Sequence, residues 1–298
     1  MKVLGKDILV DGRLVRIVRP ELDSYEELDD PEAMLDGLRK SGIRVDLFTF
    51  MQLATDVSRK YAYPMEWDNL AVLPVTTFDH WFNHQIRSLP RNRARQAEKR
   101  GVTLREVTFD DALVRGMQEV YNESPIRQGK PNVHYGKDIQ TVHNEEATFL
   151  DRSIFIGAFL EEKLIGFVKL VTDENRTRAN LMNIVSMIKH RDKAPTNALI
   201  AESVRSCAKQ GIQYLVYQNF TYGNKQPDSL TNFKEINGFQ RVDLPRYYIP
   251  LTLIGRIALR LGLHHRFVDR IPEPVTAKFR ELRSAWYNRK LQAESEAS

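Results

Sequence analysis

Between residues 153 and 250 the chain alternates elements in an order that few folds accommodate: strand, strand, strand, helix, strand, helix, strand. SIFIGAFLEE (Ser153–Glu162) and KLIGFVKLVTD (Lys163–Asp173) are apolar runs parted by a polar turn, which predicts a hairpin. NLMNIVSMIK (Asn180–Lys189) is a third strand. APTNALIAESVRSCAKQG then reads as a helix: Pro195 suits a first helical position, Ile200, Val204, Cys207 and Ala208 share a face, and Gly211 can close the end. IQYLVYQNF (Ile212–Phe220) is apolar on both faces, as a central strand is. DSLTNFKEINGF is a second helix ending at Gly238, and QRVDLPRYYIPLT is the last strand or strand pair.

The phrase FKEINGFQRVDLPRYYIPL (Phe233–Leu251) and the order of elements before it resemble the GNAT acyltransferase superfamily in its late helix, its Gly238-Phe239 turn and the following strand. The basic WFNHQIRSLPRNRARQAEKRGVTLREV (Trp81–Val107) is similar to the Fem-type transferases, which carry GNAT-like domains and build peptidoglycan cross-bridges from aminoacyl-tRNA. The resemblance covers residues 75 to 250 and implies the α/β (α+β) class, a GNAT-like central mixed twisted sheet flanked by helices, with C-terminal amphipathic helices. It divides the chain into an N-terminal elaboration or partial GNAT-like half (1–75), a GNAT-like core (76–250) and an amphipathic helical extension (251–298).

Composition narrows the class further. One cysteine in 298 residues excludes an internal disulfide framework and fits a reducing compartment; on its apolar helix face Cys207 reads as a small buried hydrophobe. No stretch reaches the ~18 apolar residues of a spanning helix, and MKVLGKDILVDGR has no secretory pattern. The expected location is the cytoplasm, with peripheral contact at the inner membrane face as an alternative. A net charge of +5 mildly favours anionic partners.

Along the chain, Asp11-Gly12 predicts a hairpin turn between KDILV and RLVRIV. The acidic stretch from Glu21 to Asp36 reads as a solvated loop and helix start. Leu47, Phe50, Leu53, Ala54 and Val57 predict a helix over Val45–Lys60. Asn69–Val75 reads as a strand. Thr77–Gly101 reads as a helical region broken or kinked at Pro90, with Arg91, Arg95 and Lys99 on one face. That face is either solvated and paired or a surface for phosphate, RNA or lipid headgroups. Val102–Val107 and Asp110–Asn122 read as strand and helix. ESPIRQGKPNVHYGK (Glu123–Lys137) is a loop dense in hydrogen-bonding groups, among them Arg127, Gln128, His134 and Tyr135. TLIGRIALRLGLHHRF and VTAKFRELRSAWYNRKL are amphipathic helices, packed on the core or a second subunit, or lying on a membrane through residues 251–290. His264-His265 stands without other ligand-like spacing, so no metal site is expected.

The resemblance implies the chemistry. Acyl transfer needs a neutral attacking group, a carbonyl held beside it and a donor for the developing oxyanion. In the family an acyl-pantetheine arm lies between two splayed parallel strands, here Asn180–Lys189 and Ile212–Phe220, with a free backbone N–H near Ser186, Met187 and Ile188. The pyrophosphate of coenzyme A would lie at the start of the following helix, HRDKAPTNAL, with Arg191, Lys193, Thr196 and Asn197 around it; Asn219 and Lys225 would lie on the facing strand and loop. The family's Arg/Gln-x-x-Gly-x-Gly/Ala signature is absent, since residues 190–199 hold no glycine, and Lys234 stands where many members carry a tyrosine general acid. His190 and Asp192 are candidate bases and Tyr222 a candidate replacement acid; Arg127, Gln128, His134 and Tyr135 are candidates for the acceptor side. The implied function is transfer from acyl-CoA to an amine or hydroxyl of a small-molecule or envelope or polysaccharide precursor. The alternatives are an aminoacyl-tRNA-dependent Fem-type transferase, with tRNA as partner, and a non-catalytic GNAT-like binding module. A homo-oligomer is compatible with each.

Overall fold

The computed structural model describes residues 2–21, 23, 25, 27–53, 57–127, 130–222, 228–265 and 278. The chain forms two compact units, one of Met1–Ala71, Gln218–Pro227 and Arg241–Ile271, the other of Val72–Tyr217, Asp228–Gln240 and Pro272–Ser298.

The first unit opens with strands β1 (Lys2–Val3), β2 (Lys6–Asp11) and β3 (Ile17–Pro20), helix α1 (Pro31–Lys40) and strand β4 (Leu47–Met51). The β2–β3 hairpin forms, but its ladder starts at Asp11↔Ile17, so five residues rather than two make the turn. Gly12 there has φ +83°, and a Cβ would lie 2.1 Å from Val15 O. Asp30 caps α1 by accepting from Ala33 N, with Pro31 beside it.

The helix expected over Val45–Lys60 is instead β4, parallel to β3 and antiparallel to a late strand. All five residues of LFTFM are buried, and a strand buried on both faces shows no alternation, so its apolar residues also satisfied a helical spacing. Ala54 lies outside the described residues. The acidic stretch is not solvated throughout: Asp23 is buried and accepts from Arg246 Nη1 at 2.8 Å.

The chain leaves this unit within β5 (Met65–Pro74) and builds the second: α2 (Phe78–His80), a π-helical turn at Trp81–Gln85, α3 (Ser88–Lys99), β6 (Thr103–Val107), α4 (Asp111–Tyr121), the short pair β7 (Ile126–Arg127) and β8 (Lys130–Pro131), and α5 (Ile139–Glu146). Next come β9 (Ser153–Leu160), β10 (Lys163–Thr172), β11 (Arg178–Ser186), a 3₁₀ segment Ile188–Lys193, α6 (Pro195–Lys209), β12 (Tyr214–Val216) and α7 (Ser229–Ile236). The last elements among the described residues are β13 (Gln240–Pro250) and α8 (Leu253–Arg260); the amphipathic helix expected over VTAKFRELRSAWYNRKL lies, but for Lys278, outside the described residues. The helical break expected at Pro90 falls at Ile86 and Arg87, both extended; Pro90 sits in the first turn of α3, where its missing N–H costs no helical bond.

In the second unit the strand order is β12-β11-β10-β9-β6, with the end of β5 on the far side of β12. Only β11–β12 is parallel there. Helix α6 packs on β9, β10 and β11, burying Ile200, Val204 and Cys207 fully. Burial pushes the Cys207 thiol up to about 12, as expected of a packing residue. In the first unit the order is β1-β2-β3-β4-β13-β5. Its core gathers α1, β4 and Tyr247 of β13, with Phe50 and Tyr247 stacked at 5.1 Å.

Candidate functional site

Strands β11 and β12 pair only at Arg178↔Tyr214, Ala179↔Leu215 and Asn180↔Val216. Strand β11 runs on to Ser186, held by β10, while β12 ends, so a gap opens beyond Asn180 where the resemblance implies one. A cavity of about 490 Å³ lies in the second unit at this gap. One wall is Ile184–Ile188 with Arg191 and the α6 start, Ala194–Asn197; the other is Tyr217 with Ser229, Leu230, Asn232, Phe233 and Ile236 of α7. Leu89, Pro90 and Arg93 of α3, and Arg127, complete it. Three arginines and no carboxylate line it, so its field favours an anion. Arg93 and Arg191 form no ion pair among the described residues.

The backbone N–H groups near Ser186–Ile188 are not free. Met187 N donates to Ile165 O at 2.8 Å, and Ile188 N and Lys189 N donate to the two carboxylate oxygens of Glu123 at 3.0 and 2.9 Å. Arg127 lies 3.6 Å from that carboxylate and donates to Ser186 O and Val120 O, so loop and strand end are locked together. Burial lowers the Arg127 guanidinium, with Glu123 opposing the shift.

The α6 start remains open. Its cap residue Ala194 has left-handed angles, φ +53° and ψ +43°, and no side chain caps the helix. A left-handed non-glycine residue costs roughly 1–2 kcal/mol, so the conformation that the missing glycines would favour is held by an alanine. Pro195 has no N–H, leaving those of Thr196 and Asn197 at the helix end. The Thr196 and Ser186 hydroxyls share a hydrogen bond at 2.7 Å.

On the facing wall, α7 is secured at its end. Trp81 Nε1 donates to Asn237 O, Arg87 N donates to Ile236 O, and Gly238 has φ +88° with Gln85 O 3.3 Å from where a Cβ would lie. Lys234 is fully buried, its Nζ 4.7 Å from the Tyr217 ring centroid. Burial lowers its ammonium to about 8, with Asp228 opposing, and pushes Tyr217 up to about 12.

Among the sequence-predicted residues, Arg127, Ser186, Met187, Ile188, Arg191, Thr196 and Asn197 meet at the cavity. His190, Asp192 and Lys193 lie on the adjacent 3₁₀ segment and do not line it. The Asp192 carboxylate is held low by Lys193 and then Arg100; His190 is lowered by burial and then by Lys189 and Lys193. Asn219 donates to Asp68 and Tyr222 to Gln218, all in the first unit. His134 stacks on Tyr121 at 4.1 Å, and Tyr135 is half exposed. Gln128 and Lys225 lie outside the described residues. Sequence reasoning missed Glu123, Arg93 and Tyr217. Arg93 lay in a basic helix already singled out and Tyr217 in the predicted strand; nothing local marked Glu123.

No family model and no curated protein matches this chain. Solved structures do. The C-terminal domain of a lysylphosphatidylglycerol synthetase candidate from Agrobacterium fabrum aligns at TM-score 0.56 and 12% identity, over 86% of this chain and 84% of that one. L-PGS from Bacillus licheniformis aligns at TM-score 0.56 and 15% identity, over 88% and 87%. FemX aligns at TM-score 0.53 and 13% identity, over 80% and 72%. The fold is GNAT-like and of the Fem type.

Proposed function

We propose that the protein is an acyltransferase that moves an acyl group from acyl-CoA to an amine or hydroxyl of an envelope or polysaccharide precursor. The observation that carries this reading is the cavity in the gap between β11 and β12, lined by three arginines and no carboxylate. Arg93, Arg191 and the N–H groups of Thr196 and Asn197 would hold the phosphates. The left-handed turn at Ala194 and the uncapped helix fit that role, although Pro195 removes one donor. Acyl-CoA supplies the activated thioester. Tyr217 faces the cavity, where its phenol can donate a hydrogen bond to a leaving thiolate, although burial makes it a weaker acid than usual. Phe233 and Ile236 exclude water beside it.

A second reading, aminoacyl-tRNA as donor, has its own support: FemX and the two lysylphosphatidylglycerol synthetase-type structures align over most of the chain. The basic face of α3 is smaller than its sequence suggests, because Arg91 donates to Asn83 O and Ile86 O; Arg95 and Lys99 remain exposed.

One helix of the first unit has a face suited to a membrane. Helix α8 buries Gly255 and Ala258 and exposes Leu253, Ile254 and Ile257, with Arg256 and Arg260 exposed beside them. A Cβ on Gly255 would come within 1.8 Å of Asp46 O, so the small residues must face inward and the large ones outward. Such a face suits an anionic lipid surface. No helix of the described residues is long and apolar enough to cross a membrane.

A thermal-shift titration with acetyl-CoA and coenzyme A tests the main reading. A dose-dependent rise that an Arg191→Glu variant loses supports it. No rise with either ligand, beside a rise with an aminoacylated tRNA, transfers the donor role to the second reading. Binding of wild type, but not a Leu253→Ser/Ile257→Ser variant, to anionic vesicles tests the membrane contact.

A further inference from the structure

We propose that Glu66, His264 and His265 form a binding site for a divalent first-row transition ion, with zinc the fitting one. The three residues come from segments far apart in sequence: Glu66 on β5, and the two histidines on the turn after α8. Their ligand atoms all lie within 4.8 Å of one another. His264 Nε2 and His265 Nε2 both approach the same oxygen, Glu66 Oε1, at 2.8 and 3.2 Å. Donor pairs in a tetrahedral zinc site with bonds of about 2.0–2.1 Å are roughly 3.3–3.4 Å apart. These Nε2–Oε1 pairs need only move by tenths of an ångström to match.

The site is partly built in advance. The His264 side chain is 2% exposed and lies against Tyr248, with ring centroids 4.6 Å apart. Its other nitrogen, Nδ1, is buried without a partner among the described residues, so the contact at Nε2 is the polar one that orients the ring. His265 and Glu66 are 43% and 37% exposed, which leaves a solvent-facing side for water as a fourth ligand. The two rings lie side by side, with centroids 4.0 Å apart, so one divalent ion could engage both imidazoles and the carboxylate at once. Two imidazoles among three donors select zinc-like ions over magnesium and calcium, which take oxygen. The bound ion would fasten the end of α8 to β5, the strand carrying Asp68 of the buried Arg246 ion pair. The proposal is independent of the reaction assigned to the cavity.

The test is isothermal titration of the full chain, stripped with a chelator and dialysed, with zinc chloride, and with magnesium and calcium chlorides as controls. The expected result is one equivalent of zinc, a rise in Tm on binding, and no response to magnesium or calcium. His265→Ala and Glu66→Gln, both at partly exposed positions, should keep the circular dichroism of wild type and bind zinc at least about tenfold more weakly. His80 and His84, with ring centroids 5.5 Å apart, are a second place where zinc could settle, so a His80→Ala/His84→Ala variant serves as control and should bind normally. No saturable binding by wild type overturns the proposal. So does an affinity unchanged by His265→Ala and Glu66→Gln, or one lost in the His80/His84 variant.

Discussion

On the β11 side the cavity is lined by guanidiniums and the start of α6; on the β12 side it is lined by Tyr217, Phe233 and Ile236, with a lysine buried behind. The two walls answer the loss of strand pairing differently. On the first, Glu123 takes the N–H groups of Ile188 and Lys189, and the start of α6 stays uncapped. The protein thus supplies its own anion at one set of donors and leaves the next set, at Thr196 and Asn197, without a side-chain cap. On the second wall, burial raises the Tyr217 phenol to about 12 and lowers the Lys234 ammonium, which does not line the cavity, to about 8, so the lining itself presents a neutral phenol and apolar side chains. The first wall is cationic; the second is a phenol, small polar groups and apolar surface.

The strongest way to break this contrast is to reverse the charge of the first wall. An Arg93→Glu/Arg191→Glu variant should bind a phosphate-bearing donor about 100-fold more weakly, roughly 3 kcal/mol, with the fold intact. Isothermal titration checks it, and unchanged affinity would mean that the arginines are not the anion wall.

The second wall is probed through Lys234. Its folded-state value, about 8, lies below the ordinary 10.5, so between those pH values the unfolded chain binds the proton more tightly. The Lys234 contribution to stability therefore rises as pH climbs from about 8 to about 10.5. Lys234→Met should stabilise the protein by about 2 kcal/mol at pH 7, and this advantage should vanish above that window. Denaturant melts at pH 7 and pH 10.5 measure it.

Smaller effects sharpen the first wall. Glu123→Gln leaves the Arg127 guanidinium without its carboxylate and gives one of the two N–H groups a poorer acceptor. It should cost about 1–2 kcal/mol in a denaturant melt and speed amide exchange at Ile188 and Lys189. Ala194→Gly should relieve the left-handed strain and gain about 0.5–1 kcal/mol, after the entropy of a more flexible unfolded chain is counted. A loss on this substitution would show that the alanine methyl packs usefully.

How much of this could be read beforehand depends on how local each cause is. Helix α6 was legible because Pro195 and Gly211 mark its ends, and the α7 turn because Gly238 must adopt a positive φ. The parting of β11 from β12 was implied by the resemblance to GNAT-like folds. Strand β4 was misread because LFTFM, buried on both faces, carries no alternation to tell strand from helix. Asp23 looked solvated because its partner Arg246 lies 223 positions away. Glu123 gave no sign at all, since its N–H partners are 65 and 66 residues distant and are backbone groups without a side-chain signature. The Glu66–His264 convergence spans 198 positions and was invisible for the same reason.

The first unit is assembled from three separated stretches, and its β4 finds a partner, β13, only near the end of the chain. On the ribosome that has a cost in time. At about 5–20 residues per second, roughly 10–30 s pass between the synthesis of Ala71 and that of Arg241. Throughout that interval LFTFM has made its residues but lacks one neighbouring strand, an apolar edge open to wrong partners. The second unit, meanwhile, can already fold most of its sheet. Birth order thus makes the N-terminal segment wait on the C-terminal one, and newly made chains that stall before β13 would be the ones that chaperones must hold.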